Sequence, residues 1–177
     1  NSSINIIDPP EEDWNVTLLD TGLNSMTGYR ILQAKDLIGD EQFLLTYGDG
    51  VANIDLNKLI ITHNESPYDI TMSAVQPAGR FGALNLNGNM VSKFEEKADN
   101  DSSWVNGGYF VCDSTIFDYI DNNSSCVFEE KPLQELANDS KLGVYKHHGF
   151  WKCMDTLKDR NDLSKLIKDK EAKWVIW

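Results

Sequence analysis

The sequence predicts an α/β fold, and three observations carry the prediction. Apolar runs of strand length alternate with apolar stripes of helical period along most of the chain. Strand, helix and strand follow one another within about 35 residues, the length of a βαβ unit. Asn87-Gly88-Asn89 then separates two short apolar runs and marks an inserted β-hairpin.

The elements follow in order. Pro9-Pro10-Glu11-Glu12-Asp13 is an exposed lead-in, because consecutive prolines block both helix and ladder. Ser25-Met26-Thr27-Gly28-Tyr29-Arg30 reads as a small-residue loop. Phe43-Leu44-Leu45-Thr46-Tyr47 is a buried strand that ends at a tight turn, Gly48-Asp49-Gly50. Asp55 is placed to cap a helix whose apolar stripe is Leu56, Leu59, Ile60 and His63. The run from Ile70 to Val75 returns as a strand and closes the expected βαβ unit. Residues 83–86 and 90–94 form the hairpin, and Gly108-Tyr109-Phe110-Val111-Cys112 is another strand. Ser114 caps a short helix carrying Ile116, Phe117 and Ile120, and a second helix covers 133–137. Gly143 to His147 is a strand. Thr156-x-x-Asp159 resembles a capping box, with Asp for Glu, before a stripe of Leu163, Leu166 and Ile167.

The 177 residues suffice for one compact domain, here taken as 1–177. A net charge of −12 with no basic run disfavours nucleic acid and anionic membranes as partners. A small-molecule substrate is the better expectation, and a phosphate would approach so acidic a site more readily with a divalent cation. No apolar stretch reaches about 18 residues, so no membrane-spanning helix is expected. The start has neither a signal-peptide pattern nor an initiator Met, and reads as the interior of a longer protein. Cys112, Cys126 and Cys153 are odd in number and form no C-x-x-C pair, which fits a reducing cytoplasm. Asn15, Asn64, Asn100 and Asn138 begin glycosylation-type triplets, expected by chance in a chain this rich in Asn and Ser.

Few residues offer chemistry. Asp49 lies just past the C-terminal end of a buried strand, the edge where ligands bind in open α/β sheets. Its flanking glycines allow a sharp turn and close approach, and its carboxylate suits a hard cation. Alone, the tetrapeptide equally fits an ordinary Asp-Gly turn. Asp155 lies between an apolar stretch and a helix start, where it can be a second metal ligand or can simply favour the helix N-terminus. Lys97 suits a phosphate and Glu96 a sugar hydroxyl, although a solvated strand end explains both. Asn106 can pair with a sugar hydroxyl, Gly107 permits close approach, and Arg80 between Gly79 and Gly82 can meet an anion. His63 fits a packed helix face. His147 and His148, adjacent on a strand, point to opposite faces and hold no common metal. Cys153 reads as packing, since the nearby Asp155 disfavours its thiolate.

The order of these pieces is more telling than any one of them. Tyr47-Gly48-Asp49-Gly50-Val51, Gly79-Arg80-Phe81-Gly82-Ala83-Leu84, Phe94-Glu95-Glu96-Lys97, Asn106-Gly107-Gly108-Tyr109-Phe110-Val111 and Gly149-Phe150-Trp151-x-x-Met154-Asp155-Thr156-Leu157-x-Asp159 succeed one another. Asp20-Thr21-Gly22, Met26-Thr27-Gly28 and Trp174-x-x-Trp177 flank them. This series resembles the sugar-1-phosphate nucleotidyltransferases, most narrowly their glucose-1-phosphate cytidylyltransferase branch. The resemblance implies a Rossmann-like α/β/α sandwich with a mixed, mostly parallel sheet. It implies Mg²⁺ held by Asp49 and Asp155, and Lys97 on the sugar phosphate. Gly82, Glu96 and Asn106 would line the sugar, and Thr27 and Gly28 would lie near the cytosine of CTP. Oligomers are expected by the same analogy. The family's opening Gly-Gly-x-Gly-Thr-Arg loop has no counterpart, the first glycine being Gly22. The implied domain is therefore incomplete at its N terminus and lacks the triphosphate cradle. Transfer from UTP or dTTP, and a non-catalytic module that only binds sugar phosphate, stay open as alternatives.

Overall fold

A computed structural model describes residues 15–77, 83–87, 90–95 and 104–175. The expected lead-in at Pro9–Asp13 and the candidate residues Arg80, Gly82, Glu96 and Lys97 lie outside them. The elements run α1 (Thr27–Gln33), α2 (Lys35–Ile38), β1 (Phe43–Thr46), β2 (Gly50–Ala52), α3 (Leu56–Asn64), β3 (Ile70–Val75), β4 (Ala83–Asn87), β5 (Met90–Glu95) and β6 (Val105–Cys112). A 3-10 helix (Ser114–Tyr119), α4 (Lys131–Asn138), β7 (Leu142–Lys146), β8 (Trp151–Cys153) and α5 (Leu157–Lys168) complete the order.

Four strands form the main sheet, in the order β1-β6-β3-β7. β6 runs antiparallel to both β1 and β3, while β3 and β7 are parallel. The sheet is thus mixed, with three strands in one direction and one against them. The expected βαβ unit is split: β1 and β3 share a direction across α3, but β6 lies between them. The physical reason lies in burial. β6 carries a nearly continuous buried run and needs a strand on each side, whereas β1 alternates between half-buried and exposed positions and suits an edge. The hairpin pairs as expected, β4 against β5.

One face of the sheet holds the core. Phe43, Ile70, Phe110, Cys112 and Leu142 pack there with the helical residues Ile116, Phe117, Leu133 and Leu136 and with Phe128. Phe110 meets the Tyr47 and Phe128 rings edge-on at 5.6 and 5.8 Å. Burying each such side chain contributes about 1.5–3 kcal/mol. The opposite face is covered by α3. Its Asp55 cap accepts from the Lys58 N–H at 3.1 Å, as the sequence predicts. His63 is 2% exposed and sits between Thr71 Oγ1 at 2.9 Å and Asp113 Oδ1 at 3.3 Å, a packed histidine.

Two local expectations are corrected. Ser114 does not cap the 3-10 helix. Asp113 occupies that position without a side-chain cap bond, because Oδ1 of its carboxylate already faces His63 and Gln42. The stretch from Ser25 to Arg30 is not loop throughout; from Thr27 it is the first turn of α1. Backbone carbonyls of Ser124 and Cys126 take the N–H groups of Met26 and Gly28, which seats the helix start. The helix expected over 133–137 begins earlier, at Lys131, with Pro132 in the first turn, where a missing N–H does no harm. The capping box of α5 is present: Thr156 accepts from the Asp159 N–H, and Asp159 accepts from the Thr156 N–H.

Candidate active site

The site lies at the end of the sheet where β1, β3 and β7 finish, the edge that binds ligands in open α/β sheets. It is assembled by two strands that the sequence did not suggest. β2 and β8 pair antiparallel as a separate ribbon, with Gly50 opposite Cys153. The Met154 N–H donates to the Asp49 carbonyl at 2.8 Å and prolongs the ladder by one step. Asp49 immediately precedes β2 and Asp155 follows β8 by one residue. Antiparallel pairing therefore carries the two carboxylates, far apart in sequence, to the same end of one ribbon.

Both carboxylates line one cavity of about 180 Å³, together with Tyr47, Asn106, Gly107, Trp151 and Cys153. A second cavity of about 480 Å³ shares Asp49 and Tyr47 and adds Thr27, Gly48 and Glu129. Asp49 and Asp155 are exposed, and neither takes part in an ion pair among the described residues. Two carboxylates without an ion-pair partner on one cavity would suit a hard divalent cation, which can use one or two carboxylates and keep its remaining positions for water and phosphate.

The wall of the site is a β-bulge in β6. Between Met72 and Ala74 of β3 the register against β6 shifts, and Gly108 adopts φ +77°. A side chain at Gly108 would strike the Tyr47 ring at 2.8 Å, and one at Gly107 would strike Ser73 Oγ at 2.6 Å. Close packing of protein on protein thus requires both glycines, independently of any ligand. Asn106 is also partly committed: its Nδ2 donates to the Tyr47 hydroxyl at 3.2 Å and its Oδ1 accepts the Gly108 N–H at 2.8 Å.

Glu129 is the residue that sequence reading missed. Thr27 Oγ1 donates to Glu129 Oε2 at 2.7 Å, and the Tyr47 hydroxyl donates to Oε1. Thr27 in turn accepts the Phe128 N–H at 2.9 Å. Burial, and then the hydrogen bond to the Glu129 carboxylate, push the Tyr47 hydroxyl well above the ordinary tyrosine range. Glu129-Glu130 reads in sequence as a solvated charge pair, and nothing local distinguishes the first from the second. Thr27 lines the larger cavity. Gly28 lines neither; a side chain there would meet Cys126 Sγ at 2.8 Å, so its smallness serves helix packing.

Cys153 behaves as its sequence neighbourhood suggests. Its Sγ donates to Asp155 Oδ2 at 3.1 Å. Burial first, and then that carboxylate, push its pKa up to about 11. His147 and His148 part company: His147 is buried with Nε2 3.1 Å from Asn53 Oδ1, and His148 meets the Trp104 ring edge-on.

Comparison with known proteins identifies the family. The sequence profile described as Nucleotidyl transferase matches residues 27–169. A glucose-1-phosphate cytidylyltransferase of Salmonella typhimurium is 42% identical over 94% of this chain, which spans 65% of that relative's length. Among solved structures, a UDP-glucose pyrophosphorylase complexed with UDP-glucose superposes at TM-score 0.66 and 15% identity, covering 85% of this chain and 64% of that one. The inositol-1-phosphate CTP transferase from T. maritima gives TM-score 0.64 at 15% identity, covering 87% and 65%. The structural likenesses speak for the fold and the profile match for descent. The profile covers most of the chain, and the chain belongs to the nucleotidyl transferase family.

Proposed function

We propose that this chain is the sugar-phosphate- and metal-binding part of a glucose-1-phosphate cytidylyltransferase, which makes CDP-glucose and pyrophosphate from CTP and glucose 1-phosphate in the cytoplasm. One observation carries the reading: Asp49 and Asp155 meet at one end of one ribbon and face one cavity. The resemblance to the Salmonella enzyme supports the choice of CTP and glucose 1-phosphate.

In this reaction a phosphate oxygen of the sugar bonds to the α-phosphorus of CTP, and the bond from that phosphorus to the departing pyrophosphate breaks. Two polyanions must meet, so charge repulsion and alignment dominate the barrier. Asp49 and Asp155 would hold a Mg²⁺ ion, which when bound screens the phosphates. Lys97 adds a point charge for the sugar phosphate, with Arg80 near it in role. Glu96, Gly82, Asn106 and Gly107 are assigned to the sugar side. Glu129, fixed by Thr27 and Tyr47, presents acceptors to hydroxyl groups in the larger cavity. No covalent nucleophile is required, and Cys153 keeps its proton at neutral pH.

The test is Mg²⁺-dependent pyrophosphate release by the full-length protein from glucose 1-phosphate and each of CTP, UTP and dTTP. Release with CTP well ahead of the others is expected. A clear preference for UTP or dTTP would overturn the cytidylyl assignment, and no release with any triphosphate would favour a binding module.

A further inference from the structure

The ribbon that carries both carboxylates is not part of the main sheet. Its strands β2 and β8 have three residues each, too few to be stable alone. Pairing within the ribbon sets Asp49 relative to Asp155. Something else must set the pair relative to the wall of the cavity.

Two hydrogen bonds tie the ribbon to β6, one from each side of the bulge. The Trp151 indole Nε1–H, on β8, donates to the Gly107 carbonyl at 2.8 Å. The Tyr109 hydroxyl donates to the carbonyl of Gly50, on β2, at 2.9 Å. Each ribbon strand is thereby tied to β6, at positions two residues apart. The bulge makes this possible. Ser73 Oγ accepts the Tyr109 N–H at 3.2 Å in place of a ladder carbonyl, and the displaced backbone turns the Gly107 carbonyl toward the indole. The indole nitrogen also lies 3.8 Å from where a side chain on Gly50 would begin, so the ring spans both ribbon strands. At the far end, Asn53 Oδ1 accepts the Phe150 N–H at 2.7 Å and closes the ribbon.

We infer that Trp151 and Tyr109 are positioning residues that clamp the ribbon to the bulge and so set the two carboxylates against the cavity wall. The inference rests on the proposed metal role of Asp49 and Asp155. Neither clamp residue needs to touch a phosphate. Each acts through the carboxylates, by holding the strand that bears one of them.

Trp151→Phe and Tyr109→Phe each keep an aromatic ring and delete one donor, so the fold is expected to survive. The measurement is Mn²⁺ binding to the full-length protein, followed by the loss of the free-ion electron paramagnetic resonance signal, with Asp49→Asn as the reference. Trp151→Phe is expected to weaken Mn²⁺ binding about tenfold, the scale of one hydrogen bond, and Tyr109→Phe by a similar or smaller factor. The Mg²⁺ concentration for half-maximal rate should rise in parallel, with the KM for sugar phosphate unchanged. A merely structural role would lower the melting temperature and leave the Mn²⁺ affinity where it was, and that result overturns the clamp. Tight Mn²⁺ binding by the parent, lost in Asp49→Asn but unchanged in both clamp variants, sinks the clamp alone. Absent Mn²⁺ binding by the parent, or binding that Asp49→Asn leaves unchanged, removes the metal role and the clamp together.

Discussion

The two ends of strand β3 treat polar groups in opposite ways. At its start, His63, Thr71, Asp113, Gln42 and Asn64 answer one another, and the histidine is fully enclosed. At its finish, Asp49 and Asp155 are brought together on an open cavity with no cation of their own among the described residues. A polar cluster that satisfies itself holds the fold together. Two exposed carboxylates that line one cavity without a counter-charge leave room for a cation and its ligand. The difference teaches that the same residue types, at opposite ends of one sheet, can either satisfy one another or stay open to a partner from outside the chain.

Substitutions at the two ends should therefore separate rate from stability. The largest effect is expected at the open end. Asp49→Asn or Asp155→Asn in the full-length protein should lower kcat about 10²-fold or more, on the scale of other lost electrostatic stabilisers. Thermal unfolding should barely change. Loss of folding with no specific loss of rate would erase the distinction between the ends.

His63→Ala probes the closed end. It removes a packed ring and leaves the buried Thr71 hydroxyl without its partner, so stability should fall by about 2–4 kcal/mol in denaturant titration. The kcat of the fraction that remains folded should stay within about twofold, a margin under 1 kcal/mol. A rate loss rivalling that of Asp155→Asn would show that the two ends are not independent.

Thr156→Ala sharpens the comparison from beside the site. It breaks the capping box that starts α5 one residue after Asp155, at about 1 kcal/mol in stability. If Asp155 is held by the ribbon rather than by the helix, kcat should hardly move. An equal drop in kcat and in Mg²⁺ affinity would assign the placement of Asp155 to the helix instead.

The smallest effect concerns Tyr47. Its hydroxyl is held protonated above the ordinary tyrosine range by burial and by Glu129. The unfolded chain releases that proton near pH 10, while the folded chain keeps it. The stability this bond contributes is present below about pH 10 and is lost as pH rises through the raised folded value. The stability difference between the parent and Tyr47→Phe should hence shrink in alkaline titrations and stay flat between pH 6 and 9. A change centred in the neutral range would point to a different group.

Much of this architecture was legible in the letters. The strand at Phe43, the Asp55 cap, the helix through His63, the strand from Ile70 to Val75, the hairpin and the Thr156–Asp159 box all follow local rules of periodicity and capping. Asp49, just past a buried strand, and Asp155, between an apolar stretch and a helix start, each fit an ordinary local role, and only the order of the motifs around them set them apart. Glu129 did not stand out, because its partners Thr27 and Tyr47 are 102 and 82 positions away in the chain. β2 and β8 were equally silent: three-residue strands have no period to read.

The chain by itself thus determined the longer strands and helices in their order, since propensity, capping and alternation act over a few residues, while the acidic pair was singled out by the ordered series of motifs rather than by any local rule. Tertiary structure alone decided that β6 divides β1 from β3, that a bulge at Gly107 and Gly108 walls the site, and that one ribbon end carries both carboxylates. Those features depend on which strand buries both faces and on pairings between distant segments. Such choices are settled by the free energy of the whole sheet, to which no short window of sequence has access.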